Sequence, residues 1–435
     1  MELVTDILQW IATNVFGQVA LLIGLIVLLG LVLQRRSFRE VVEGSVRAAL
    51  GIVILFVGID VFVGGLLAFQ TIVGSAFGVA PRVAEATLGD FLAARGADIA
   101  LIITVGFMVH LALVRIFNVR FVYLTGHLMF WISVVVAATF VEVFANIDRV
   151  ALVVAGSLVV GVYWTIQPVY IHRFMKVVTG HDNYGFGHTS SSACFLAAGL
   201  GRFVGSHEKH DSEKLKLPDA LAFFKDINVS TAVIITLIML VAAVFADPAV
   251  VAEQAAAMNP DLDPYVWTLI AGLRFAAGIA ILLFGVRMFL AEIVPAFKGI
   301  SDKLIPGARP ALDVPVIFPH APTAVMIGFL ASTAVFLTLM VAFGAFGVAT
   351  IVPPMIMLFF PGGGAGVFGN AIAGWRGAVL GGAINGLFLA VGQAITWPML
   401  SNTAPELATL ADPDWYIIIW ILMPILELAR PLLGG

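Results

Sequence analysis

Residues 51–65 read GIVILFVGIDVFVGG, and residues 278–292 read GIAILLFGVRMFLAE. Laid over one another at a constant offset of 227, Gly51 meets Gly278, Gly58 meets Gly285 and Phe62 meets Phe289. Apolar helices can resemble one another by chance. Here the glycines share one spacing. Each half also continues with a polar, His-bearing break (TGH at 125–127, FPHAPT at 318–323) that opens a further apolar run. The pattern favours a true internal repeat. Such repeats belong to secondary-transporter architecture, where broken segments at matching places point to the substrate site.

The rest of the chain fits that setting. Of 435 residues, 61% are hydrophobic and 11% charged, with a mean hydropathy of +1.05. Soluble domains run nearer half apolar and a quarter charged. A large soluble core cannot account for so few charges, so the composition reads as an integral membrane protein. The 33 Phe and 8 Trp suit helices in lipid with aromatic rings near the interfaces. The net charge of -4 is spread over short loops and no basic stripe appears, which argues against nucleic acid. MELVTDILQW lacks the basic start of a secretory signal. The single Cys194 has no disulfide partner and no clustered metal ligands, and reads as a small core residue.

Apolar runs lie near 15–34, 48–69, 98–116, 127–142, 149–167, 229–246, 266–290, 322–345, 347–360, 374–398 and 415–430. The expected fold is an all-α polytopic membrane protein with about eleven transmembrane helices. Its expected parts are a first repeat at 14–205, a cytoplasmic loop at 206–228, a second repeat at 229–400 and a final helix at 412–433. Arg35, Arg36 and Arg39 place the first loop in the cytoplasm and the N-terminus outside. The polar piece GSHEKHDSEKLKLPD, 205–219, reads first as a solvated face.

Several charges lie where lipid should be. Asp60 sits deep in the second run, Arg287 is its repeat mate, and Glu292 and Arg274 share the run of Arg287. Such groups should face protein or a water-filled cavity. Asp60 and Arg287 could pair across a pseudo-twofold axis, or be unrelated packing charges. The breaks matter more. TGH (125–127), GFGHTSSSAC (185–194) and PGARPALD (306–313) interrupt apolar sequence with Gly and Pro. Irregular backbone at membrane depth survives only when buried in protein or lining a cavity. These breaks carry His127, His188 and Asp313, with His320 close behind, and imidazole and carboxylate suit a polyhydroxylated solute. Ser190, Ser191 and Ser192, with free backbone N–H groups, could hold an anion or a hydroxyl. PGGGAG (361–366) lacks the Lys of a nucleotide loop and reads as a hinge or cavity edge. No HExxH, nucleophile elbow or ATPase signature occurs, so no cofactor, metal or catalytic residue is expected.

The order YLTGHLMFW, GFGHTSS, LKLPDALAFFKDINVSTAVI and GVRMFLAEIVPAFKGISDKLIPGARPALD resembles the ascorbate-specific IIC membrane component of the bacterial phosphotransferase system. The resemblance runs from about residue 15 to about 430. It implies a homodimer in the bacterial inner membrane. Each protomer would have a dimerising scaffold domain, a substrate-binding core domain and two five-helix repeats of opposite orientation. It also implies inward carriage of L-ascorbate, phosphorylated by a separate cytoplasmic IIB protein that IIA charges. By resemblance, His188 and Asp313 are pocket residues, His127 shapes the wall, and Gly58 and Gly285 let helices approach. Elsewhere this chain departs from the family pattern. Thr189, Trp131 and Phe284 stand where the family carries glutamine, as does a position near Phe56, and Ala86 stands for a pocket threonine. Glutamine offers a donor and an acceptor, whereas Phe and Trp offer a ring face, so the pocket is expected to be retuned. A phosphorylation-independent carrier or channel for another small solute is the competing reading. A non-transporting sensor is a third.

Overall fold

The computed structural model describes residues 18–79, 85–215, 227–303 and 305–432, together with Trp10 and Asn14. Most of the KLPDALAFFKDINVSTA stretch, and with it the middle of the 206–228 loop, lies outside the described residues.

The chain is mostly helical. It runs through α1 (Val19–Leu33), α2 (Phe38–Ala76), α3 (Leu88–Ile116), β1 (Phe121–Tyr123), α4 (Gly126–Val143), α5 (Arg149–Thr179), β2 (Gly185–Phe186) and α6 (Ser191–Gly201). It continues with α7 (Ile227–Phe245), α8 (Pro248–Ala256), α9 (Pro264–Lys303), β3 (Arg309–Leu312), a 3₁₀ stretch (Val314–His320), α10 (Pro322–Ala345), α11 (Met355–Ala373), α12 (Trp375–Met399) and α13 (Pro413–Ala429). Among the described residues, eight helices are long and apolar enough to cross a membrane. This is a multi-pass membrane protein.

Local chemistry sets the helix ends. Ser37 opens α2 with a capping box: its hydroxyl accepts from the Glu40 N–H, and the Glu40 carboxylate accepts from the Ser37 N–H. Asp148 caps α5, and Gly180 closes it at a φ of 72°, a left-handed geometry that favours glycine. PGGGAG, expected as a hinge, lies inside α11 instead. Pro361 has no N–H to give the Met357 carbonyl one turn back, and the Asn385 side-chain amide donates to that carbonyl at 3.2 Å. The missing side chains at Gly362 and Gly366 let α10 press in. A Cβ on Gly366 would lie 2.4 Å from the Ala324 carbonyl oxygen. The glycine run is therefore a packing surface.

The helices pack in two groups. One comprises α1, α2, α7, α8 and α9; the other comprises α3 to α6 and α10 to α13, with the strands. In the first group, α2 and α9 cross antiparallel through the glycines that opened the analysis. A Cβ on Gly58 would meet the Leu282 nitrogen at 2.3 Å, and one on Gly285 would meet the Leu55 nitrogen at 2.4 Å. Leu55 and Leu282 stand at the same offset of 227 as Gly58 and Gly285. Gly51 likewise faces the Gly285 carbonyl at 3.1 Å, as Gly58 faces that of Gly278 at 2.7 Å. The contacts are thus reciprocal at the repeat offset.

That reciprocity overturns the proposed Asp60–Arg287 pair. Equivalent positions meet only where the two helices cross, close to Phe56 and Leu283. Asp60 and Arg287 lie beyond the crossing on opposite sides, about 12 Å apart along the axis at a rise of 1.5 Å per residue. Neither makes an ion pair among the described residues, and Glu292 faces Arg47 at 3.8 Å.

The second group contains what composition did not suggest, a three-stranded parallel sheet in the order β1-β3-β2. Phe121 pairs with Arg309 and Tyr123 with Ala311, while Gly185 pairs with Ala311 and Phe186 with Leu312. The chain stays mostly helical, as an all-α membrane fold requires, and these three short strands are an addition that composition did not suggest. The breaks give up helical hydrogen bonds in a buried setting, and strand pairing satisfies their backbone groups instead. His110 on α3 helps to anchor the sheet. Its Nε2 accepts from the Tyr123 N–H at 3.0 Å, so its Nδ1–H is free to donate to Thr165 of α5 at 2.9 Å. At the opposite end, Asp182 binds Lys176 at 3.0 Å and also meets Arg309 and His172, tying β3 to the end of α5.

Candidate solute-binding site

Three parallel strands must end on the same side. The sequence breaks therefore deliver their polar residues to one place, the carboxyl ends of β1, β2 and β3. Thr125 and His127 follow β1, His188 follows β2, and Asp313 follows β3. The Asp313 carboxylate stands between the two imidazoles, with His127 Nε2 at 3.6 Å from one oxygen and His188 Nε2 at 3.6 Å from the other. These separations exceed a direct hydrogen bond and leave polar atoms available to a solute hydroxyl. The Val314 N–H donates to Asp313 at 2.7 Å, and the Thr125 hydroxyl donates to the Gly187 carbonyl, which fixes the breaks to one another.

His127 and Asp313 open on a narrow cleft of about 40 Å³. Its far wall comes from the other helix group, with Ile23 of α1, Ile52 and Phe56 of α2, and Phe289 of α9. The cleft thus lies between the two groups, the usual place for a small-molecule site. His188 is only 4% exposed and stands behind Asp313. Its Nδ1 accepts from the Ser190 N–H at 3.0 Å. That nitrogen then carries the lone pair, and Nε2–H points toward Asp313 as a donor.

Other residues expected from the sequence fall elsewhere. Thr189 is buried and its hydroxyl donates to Asp412, so it supports the pocket from behind. Trp131 lies one turn along α4 from His127 and stacks on Trp415 at 6.0 Å. Gly58 is filled by the backbone of α9 and serves the helix crossing, not the cleft. Phe284 is 60% exposed and does not line the cleft, because its neighbour Gly285 is the position that faces α2. Ala86 precedes α3, whose start at Leu88 lies about 33 Å along the helix from His110, which holds the strands. His320 leaves the cluster, and its Nε2 faces the Tyr184 hydroxyl at 3.1 Å. The carry-over position near Phe56 is the one in the cleft wall.

The serines also differ from expectation. The N-terminus of α6 already holds an anion, the Asp414 carboxylate, which accepts from the Ser192 N–H at 2.8 Å, Ser191 Oγ at 2.5 Å and Tyr163 Oη at 2.7 Å. Asp412 and Asp414, both buried behind the candidate site, are carboxylates that the sequence reading missed. The visible signal was ADPDW, two carboxylates immediately before an apolar run.

Among the described residues no His, Cys, Asp or Glu group could hold a metal ion. Outside the spans, burial alone would raise the Asp182 carboxyl. Lys176, Arg309 and His172 outweigh it and hold that group down at about 2.

Comparison with known proteins decides the family. The family described as "PTS system sugar-specific permease component" matches residues 14–414. The chain belongs to that family. A relative from Mycoplasma pneumoniae, described as "Ascorbate-specific PTS system EIIC component", is 29% identical over 421 residues. The match covers 84% of this chain and 63% of the relative, so the chain spans under two thirds of that protein's length.

Proposed function

We propose that this chain is the permease component of a phosphotransferase system and carries a small, polar, sugar-like solute through the cleft beside Asp313. The observation that carries this reading is the convergence of His127, His188 and Asp313 at the ends of three parallel strands, with His127 and Asp313 lining a cleft between two helix groups. Two imidazoles and one carboxylate offer donors and acceptors to neighbouring hydroxyls, and the apolar far wall of Phe56 and Ile52 accepts a ring face.

L-Ascorbate is the first candidate, after the name of the Mycoplasma relative. The α1, α2, α7, α9 group would act as the dimerising scaffold of a homodimer, and the strand-bearing group as the moving core. The reciprocal glycine contacts support two repeats of opposite orientation, at 14–205 and 229–400. The eight long helices, with α1, α7 and α13, would make eleven spans. The final helix would lie at 412–433. The proposed setting is the bacterial inner membrane, with separate IIB and IIA proteins phosphorylating the solute on the side of the 206–228 loop. No residue of this chain is assigned to hold the phosphoryl group.

Phe56 in the cleft wall favours a second reading, the same carrier retuned to a less hydroxylated solute. Equilibrium binding of labelled ascorbate to purified protein, with pentitols, hexitols and sugar acids as competitors, separates the two. Vesicle uptake with and without IIA and IIB then tests coupling. Saturable uptake that ignores both proteins would refute the phosphotransferase role.

A further inference from the structure

Behind the pocket, two buried carboxylates differ in their surroundings. Asp414 accepts from three donors and is satisfied as an anion. Asp412 has one side-chain donor, the Thr189 hydroxyl, and its Oδ2 lies 3.7 Å from His188 Nδ1. That nitrogen already accepts the Ser190 N–H at 3.0 Å, a backbone donor that cannot turn away. An ionised Asp412 would face a nitrogen lone pair across 3.7 Å of buried space, acceptor against acceptor. Among the described residues no Lys or Arg comes within ion-pair distance of it. A proton between the two groups removes the conflict.

We propose that Asp412 holds a proton in the resting protein and, through it, sets which nitrogen of His188 faces the cleft as a donor. With Asp412 neutral, Nδ1 carries the lone pair and Nε2–H points at Asp313 and the solute. When that proton moves from Asp412 to Nδ1, the Nε2 proton leaves to water in the cleft. One proton is lost overall. Nε2 then becomes an acceptor facing the Asp313 carboxylate, Ser190 Oγ, 2.9 Å from Nδ1, accepts the new N–H, and the Ser190 backbone N–H gives up its acceptor, a cost that holds the Nε2–H form for as long as Asp412 keeps its proton. The imidazole edge that faces Asp313 has changed from donor to acceptor, with no movement of backbone.

Asp412 is thus a positioning residue that acts through His188. The ionisable groups around this pair are known. They are Asp313 after β3, His127 on α4, Tyr163 and Tyr170 on α5, Cys194 on α6, and Asp414 and Tyr416 on α13. Three neutral donors hold Asp414, and the Tyr416 hydroxyl donates to the Ala408 carbonyl, so neither supplies a cation to Asp412.

The inference rests on the cleft being a solute site only for its effect on binding; the tautomer itself is measured without solute. The test uses full-length protein in lipid with ¹⁵N-labelled histidine, the His188 signals being assigned by loss in H188A. The expected result is an Nε2–H tautomer at acidic pH that converts to Nδ1–H as pH rises. In D412N, which is neutral at every pH, the Nε2–H form should persist throughout. D414N should retain the Nε2–H to Nδ1–H transition, displaced toward lower pH because a neighbouring buried carboxylate charge is gone while Asp412 stays in place. Identical titration of His188 in wild type and D412N would overturn the proposal, as would a His188 imidazolium at neutral pH. In parallel, ascorbate binding should weaken about tenfold across the same transition in wild type, the loss of one hydrogen bond, and show no such dependence in D412N. If no solute binds at any pH, the functional reading fails, while the ¹⁵N result still decides the role of Asp412.

Discussion

Replacing Gly58 by Ala should destabilise the protein, and replacing Gly285 by Ala should do so by the same amount. A Cβ at Gly58 lies 2.3 Å from the Leu282 nitrogen, and its counterpart at Gly285 lies 2.4 Å from the Leu55 nitrogen. Both obstacles are backbone, so no side chain can swing aside. Ordinary contact begins near 3.4 Å, and the helices must part by about 1 Å along their crossing. Overpacking of this kind costs about 2–3 kcal/mol, and alanine recovers up to about 1 kcal/mol of helix propensity over glycine. The expected net loss is about 1–2 kcal/mol for either variant. The double variant should cost less than the sum, because a crossing already opened admits the second methyl group. Gly64, which has nothing within 4 Å, is the control and should tolerate alanine without loss. Unfolding midpoints of purified protein in one detergent would measure all four. Unequal losses at Gly58 and Gly285, or strict additivity, would refute the reciprocal packing on which the repeat reading stands.

Three further outcomes follow from the side-chain contacts. D414A leaves Ser191, Tyr163 and the Ser192 N–H without their acceptor and should cost about 3 kcal/mol or more, read as a lower yield of monodisperse protein and a lower unfolding midpoint. Asp182, held down at about 2, stabilises the fold above the ordinary carboxyl range. That contribution should fade as pH falls from about 4 toward 2 in wild type and be missing in D182N, whose stability should be flatter over that window. W131Q restores an amide one turn from His127 and removes the stack on Trp415. It should tighten ascorbate relative to wild type if the family's amide lining is what the pocket lost, and competition binding measures it.

Much of this was legible before any coordinates. Glycine spacing at 51–58 and 278–285 reports a close helix crossing, because only glycine admits backbone at that distance. The three breaks were readable as buried irregular backbone, since Gly and Pro in an apolar chain have few other uses. Their joining into a parallel sheet was not, because two- to four-residue strands carry no periodic signal. Pairing across 126 residues (Gly185 with Ala311) and 188 residues (Phe121 with Arg309) also leaves no local trace. Asp60 and Arg287 misled because equivalence within a repeat was taken for proximity, whereas mates touch only where the helices cross. Phe284 and Ala86 were carried over from family motifs and lie away from the cleft, since a motif fixes chain position and not the face of the helix. Asp412 and Asp414 escaped because each stood next to an apolar run and seemed to belong to its end.

The central claim is that the cleft beside Asp313 takes a sugar-like solute. Binding of labelled ascorbate to wild type, H188A and D313N, each shown to insert and remain monodisperse, tests it most directly. The account predicts saturable binding by wild type that competing sugar acids reduce, and loss of binding in both variants. Equal binding by all three proteins would place the solute elsewhere and contradict the site.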